Sequence, residues 1–159
     1  MRSTYWDVLG WRNGNELYSY VLSAAFLTVT QIFITAVMRH FGKFSTDSEQ
    51  LTPNSLIEFL LLLLLGISAG FIEEFVFRGY LQRQANLIIK NQTFAIIFQS
   101  VLFAMAHGFD QTPLGLSWKF FLGCIFGIVA RRYRSILPGA ISHCLINCFA
   151  TVLLLPNLL

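Results

Sequence analysis

Apolar residues fall along this chain in long blocks separated by short polar gaps, without the alternation of a half-buried strand. The first block, residues 17–38, is long enough to cross a bilayer and closes on Arg39-His40. A polar loop carrying Lys43, Asp47 and Glu49 leads to Asn54. Ser55, with Glu58 three residues on, has the form of a capping box and opens a second helix. That helix holds an unbroken run of leucine at 60–65 and continues to about Arg83, so its last turns emerge into headgroups. A third block covers 93–109 and ends in the turn Asp110-Gln111-Thr112-Pro113. A fourth, 118–130, extends back to Leu114 and stops at Arg131-Arg132-Tyr133-Arg134. The fifth, 136–155, tolerates Pro138 in its first turn. The pattern predicts an all-α polytopic transmembrane helix bundle of about five spans. Residues 1–54 form an N-terminal interfacial segment, a span and a loop, and residues 55–155 form the transmembrane core.

Composition agrees, with 55% hydrophobic and 12% charged residues against about 25% charged in soluble domains. The net charge of +3 does not point to nucleic acid, because Lys and Arg sit in the gaps between apolar blocks and report topology. Eight of the 11 (Arg2, Arg12, Arg78, Arg83, Lys90, Arg131, Arg132, Arg134) lie on the side of the N-terminus, which this excess assigns to the cytoplasm. Cys124, Cys144 and Cys148 all lie in apolar blocks and imply no disulfide framework. The first sixteen residues scatter Asp7, Arg12 and Glu16 among their apolar positions, unlike a signal peptide, and Trp6 and Trp11 suit an interfacial anchor. Gly66 and Gly70, and Gly123 and Gly127, mark helix faces open to close approach within the chain.

Charge inside the apolar blocks carries the chemistry. Glu73, Glu74 and Arg78 sit at the end of the second block, at a depth where each charge costs a few kcal/mol. Glu74 and Arg78 stand at i and i+4 and can pair, whereas Glu73 is turned about 100° away and is left free. An ordinary juxtamembrane charge cluster would also explain this stretch alone. In the third block Phe103 precedes His107 by one turn, and in the fifth His143 and Asn147 share a face. Counted from the cytoplasmic edge at ~1.5 Å per residue, Glu73, His107, His143 and Asn147 all lie about 11 to 21 Å deep. One layer on three helices can line one cavity, and it is not a relay across the membrane.

A desolvated glutamate can act as general base toward water, with a histidine beside it to orient that water. A histidine and an asparagine one turn apart can donate to an oxyanion. This is a kit for amide hydrolysis without a covalent intermediate. The competing chemistry is zinc held by Glu73, His107 and His143, since two His and one Glu form a known catalytic ligand set. No His-Glu-x-x-His is present, and Asn147 suits an oxyanion donor better than a zinc ligand, which favours a site without a metal or other cofactor.

Glu73-Glu74-x-x-x-Arg78, Phe103-x-x-x-His107 and His143-x-x-x-Asn147, in this order on successive helices, resemble the three motifs of the CPBP intramembrane proteases. That family includes the CAAX prenyl endopeptidases and the bacterial Abi and bacteriocin-processing or immunity proteins. The likeness runs from about Ser55 to Thr151, and members commonly carry more helices upstream of the first motif. It implies an endopeptidase of a bacterial cell membrane whose site opens to the cytosol, acting on a membrane-associated peptide or prenylated protein. It also implies that Glu73 and His107 activate water and that His143 and Asn147 stabilise the oxyanion. Glu74, Arg78 and Phe103 then serve as structural support, membrane lipid surrounds the bundle, and nucleic acid is no partner. The alternative from another class is a non-catalytic immunity or scaffold protein that binds a peptide or partner with the same bundle.

Overall fold

The structure, a computed structural model, describes residues 15–40, 53–108 and 112–152. The expected interfacial anchor at Trp6 and Trp11, most of the first polar loop, Asp110-Gln111 and the last turn of the fifth block lie outside the described residues. Every described element is helical: α1 (Asn15–His40), α2 (Leu56–Glu74), a π-helical segment (Phe75–Leu81), α3 (Gln82–Ile89), α4 (Gln92–Ala106), α5 (Pro113–Tyr133) and α6 (Leu137–Val152). The protein is an all-helical membrane bundle. Three apolar stretches are long enough to cross a bilayer: Leu17–Val37, the continuous Leu56–Ile89, and Pro113–Tyr133. Two apolar helices are shorter, α4 with 15 residues and α6 with 16, about 22 to 24 Å against a hydrocarbon core of ~30 Å.

Local chemistry sets the helix ends. Ser55 Oγ accepts from the Glu58 amide at 3.2 Å, and the Glu58 carboxylate accepts from the Asn54 amide at 2.7 Å, which satisfies two orphan donors at the start of α2. α3 stops where Lys90 turns left-handed at φ 56°, and Asn91 Oδ1 at once caps α4 by accepting from the Phe94 amide at 3.0 Å. Thr112 Oγ1 caps α5, with Pro113 in the first turn where no amide donor is needed. α5 closes through Arg134 at φ 50°, and the Ser135 amide donates to Ala130 O at 3.2 Å, so the chain reverses directly into α6.

The helix opened by Ser55 was expected to be a plain α-helix ending near Arg83. It runs on to Ile89 and passes through the π-helical segment. In an α-helix, residues four apart drift by about 40° per step. The π segment changes that phase, and Glu74, Arg78 and Gln82, before, within and after it, are all buried, 0%, 2% and 6% exposed.

α6 lies between α1 and α2, and α4 lies between α5 and α3. The glycine pairs serve contacts inside the chain. A Cβ on Gly70 would stand 2.8 Å from the Cys144 backbone nitrogen in α6, and one on Gly123 would stand 2.8 Å from Ser100 Cβ in α4. The outer faces of α2 present Ile57, Leu60, Leu61, Leu64 and Leu65 without protein cover, as suits contact with lipid.

Candidate active site

Glu73 sits in the last turn of α2, His107 is the C-cap residue of α4, and His143 lies in the second turn of α6. Glu73 Oε2 is 3.8 Å from His107 Nε2 and also 3.8 Å from His143 Nε2. Residues 34 and 70 positions from the glutamate thus converge on one carboxylate oxygen. That oxygen is buried and has no hydrogen-bond partner among the described residues. The side chains around it keep some access, 30% exposed for Glu73 and 21% for His107.

The far nitrogen of each ring is held by an acceptor. His107 Nδ1 donates to Phe103 O at 2.8 Å. His143 Nδ1 donates to Glu74 Oε1 at 3.2 Å. A carbonyl or an ionised carboxylate can only accept, so both protons sit on Nδ1 in the neutral rings. Both Nε2 lone pairs then face Glu73. The 3.8 Å gaps exceed a direct hydrogen bond and leave room for a bridging water.

Glu74 does different work one position along. Its Oε1 pairs with Arg78 Nη1 at 2.8 Å, with both side chains essentially sealed from solvent. The same oxygen receives His143, so the ion pair orients the ring that faces Glu73. Its Oε2 packs where a Cβ on Gly139 would stand 2.8 Å away, which requires a glycine there. Arg78 lies 4.3 Å above the Phe103 ring and 5.3 Å from Phe126, and its Nη2 reaches Gly123 O at 3.4 Å. Phe103 also stands 4.5 Å from the His107 ring, so one aromatic side chain braces both the cation and the histidine.

Asn147 is one turn beyond His143 on α6, and its Nδ2 donates to Gly66 O at 3.0 Å. It therefore ties α6 to α2 and retains a second N–H on the same nitrogen. Three features escaped the sequence reading. Gln82 Nε2 donates to Gly127 O at 3.0 Å and Gln99 Nε2 to Gly123 O at 2.9 Å, so glutamines serve the carbonyls of the small-residue face of α5. The four-residue step from Arg78 to Gln82 was the available signal. Gly139 was not singled out, since only its contact with Glu74 reveals it. Lys119, counted as an outer topological charge, lies one turn before Gly123, half-buried and within electrostatic reach of Glu73.

Comparison with protein families matches residues 54–149 to the model described as type II CAAX prenyl endopeptidase Rce1-like. The chain belongs to this family. The matched stretch begins one residue before the cap of α2 and ends beyond Asn147, so it contains every motif residue above. Comparison with curated proteins found no match, and comparison with solved structures found none. Family membership and the apolar helices together make this an integral membrane protein of intramembrane protease type.

Proposed function

We propose that the chain is an endopeptidase that cleaves a membrane-associated, prenylated CAAX-type substrate with water activated by Glu73. The observation that carries this is the unpartnered Glu73 Oε2, 3.8 Å from the Nε2 atoms of two histidines whose Nδ1 protons are held elsewhere. A water between Glu73 and His107 donates to both, and Glu73 takes one proton as the water oxygen attacks the scissile carbonyl carbon. The carbonyl electron pair moves to oxygen, which receives hydrogen bonds from His143 and from the second N–H of Asn147. For this role His143 must be the imidazolium rather than the neutral ring, having taken a proton from solvent on Nε2, with Nδ1–H kept by Glu74 and Nε2–H turned to the oxyanion. When the tetrahedral species collapses, the C–N bond breaks and the proton on Glu73 passes to the leaving amine.

Two further observations support the details. An apolar groove of about 370 Å³ between α4 and α5, lined by Val101, Met105, Leu116, Phe120 and Phe121 on the outer side of α4, suits an isoprenoid chain. Among the described residues no group of His, Cys, Asp or Glu stands in a metal-holding arrangement. The 3.8 Å gaps are wider than the about 3.3 Å between donors around a tetrahedral zinc. The zinc reading rests on the same three residues and is decided by the metal content of the active protein.

The test is hydrolysis of a farnesylated C-terminal peptide by the purified chain in detergent, with the unprenylated peptide alongside and metal content measured. Turnover of the farnesylated peptide that survives dialysis against a strong chelator is expected. Loss of activity in step with about one zinc per chain would overturn the mechanism and keep the protease. Tight peptide binding without turnover would favour the immunity or scaffold reading.

For orientation, the basic gaps place the N-terminus and the Arg78 end of the long helix in the cytoplasm, and five spans place the C-terminus outside. Reporter fusions at the two ends should therefore report opposite compartments. Both reporters on one side would mean an even number of crossings.

A further inference from the structure

A second polar site lies beyond the catalytic residues, at the basic end of the bundle. A cavity of about 130 Å³ opens between the π segment with α3 and the turn from α5 to α6. Arg78, Gln82, Arg83, Asn86, Arg131 and Arg134 are among its lining residues, and among the described residues no carboxylate joins them there. Arg78 is 2% exposed and is held by Glu74 and Gly123, and its Nε has no hydrogen-bond partner among the described residues. Arg131 and Arg134 are exposed at the rim, Arg134 in the left-handed turn that reverses the chain. With Arg78 committed to Glu74, it is the exposed rim pair Arg131 and Arg134 beside this polar cavity that suits an anion.

Position and surroundings identify its source. α5 has 21 residues, about 32 Å, so it crosses the ~30 Å core once and leaves Arg131 and Arg134 at the headgroup level. Directly after Asn86, the side chains of Leu87 and Ile88 are 67% and 78% exposed, ready to lie along acyl chains. A free phosphate uses the arginines alone, whereas a phospholipid uses both the arginines and this apolar flank.

We propose that this cavity binds the phosphate of an anionic phospholipid headgroup from the leaflet on the basic side of the membrane. The bound headgroup adjoins Arg78, which holds Glu74, which orients His143. The lipid thereby borders the ion pair that supports the active site without touching the reacting atoms.

The full chain in detergent, titrated with short-chain phosphatidylglycerol, phosphatidylcholine or inorganic phosphate and followed by native mass spectrometry, tests this. Phosphatidylglycerol should bind, and the other two should bind at least tenfold more weakly. Each rim arginine contributes about fivefold, so Arg131→Gln with Arg134→Gln should weaken phosphatidylglycerol binding roughly twenty-five-fold. The Arg131→Lys, Arg134→Lys pair should retain most of the binding, which separates loss of charge from loss of fold. Equal binding of the two lipids, or unchanged binding by the glutamine pair, would overturn the site. Phosphate binding as tightly as the lipid would overturn the lipid assignment and leave a soluble-anion site.

Discussion

Glu73→Gln is expected to abolish hydrolysis while the bundle stays folded. The substitution keeps the size and shape of the side chain and removes only its basicity. Glu73 forms no direct ion pair with Lys or Arg among the described residues, and its side chain is 30% exposed, so neutralising it breaks no close salt bridge and removes only a longer-range attraction to Lys119. What is lost is the oxygen that takes the proton from water. A general base contributes about 10²- to 10⁴-fold, and kcat should fall within or beyond that range. The measurement is kcat on a farnesylated peptide, with the melting temperature of the same preparation. Retention of activity to within tenfold would remove Glu73 from the role of base. A melting temperature lowered as far as in the ion-pair variants would show that Glu73 has a structural part instead.

Arg78→Gln should act on the fold. The guanidinium is sealed from solvent, 2.8 Å from Glu74, with Phe103 and Phe126 around it. Removing it leaves a carboxylate in the interior with no cation, a change that costs about 3–5 kcal/mol. Against a typical total of 5–15 kcal/mol, that is enough to deplete folded protein. Glu74→Gln is the mirror case, since it leaves the guanidinium unpaired and weakens the acceptor of His143. Folded, membrane-inserted yield and thermal midpoint should drop in both single variants. The double variant Glu74→Gln, Arg78→Gln should recover part of the loss, because neither charge is then stranded. Single variants that melt with the wild type would refute the structural role of the pair.

The two predictions separate adjacent acids, and the separation was legible before the structure. An i,i+4 pair is a property of one helix, and Glu74 with Arg78 needed only helical periodicity to be found. The cap at Ser55 with Glu58 was legible for the same reason, as were the apolar blocks. Each of these rests on residues within about one turn, or on the transfer of a continuous segment into lipid, and both are functions of local sequence. The depth count also put Glu73, His107 and His143 in one layer, because rise per residue depends on nothing outside the helix.

A helix count does not say which way its faces turn. Only the packing of α2, α4 and α6 brought one oxygen of Glu73 within 3.8 Å of both histidines, and only packing showed Glu74 binding His143. The π-helical segment is likewise a tertiary decision. Within and just after it, Arg78 and Gln82 meet the carbonyls of Gly123 and Gly127 on a different helix. Asn147 donating to Gly66, Gly139 making room for Glu74, and Lys119 turning onto the buried side of α5 all depend on a neighbouring helix. Sequence by itself determined the helices, their order and which charged residues lie at membrane depth, since solvation and periodicity act along the chain. The tertiary structure decided which of those residues meet, because the rotation and crossing of each helix are set by side chains from distant parts of the chain.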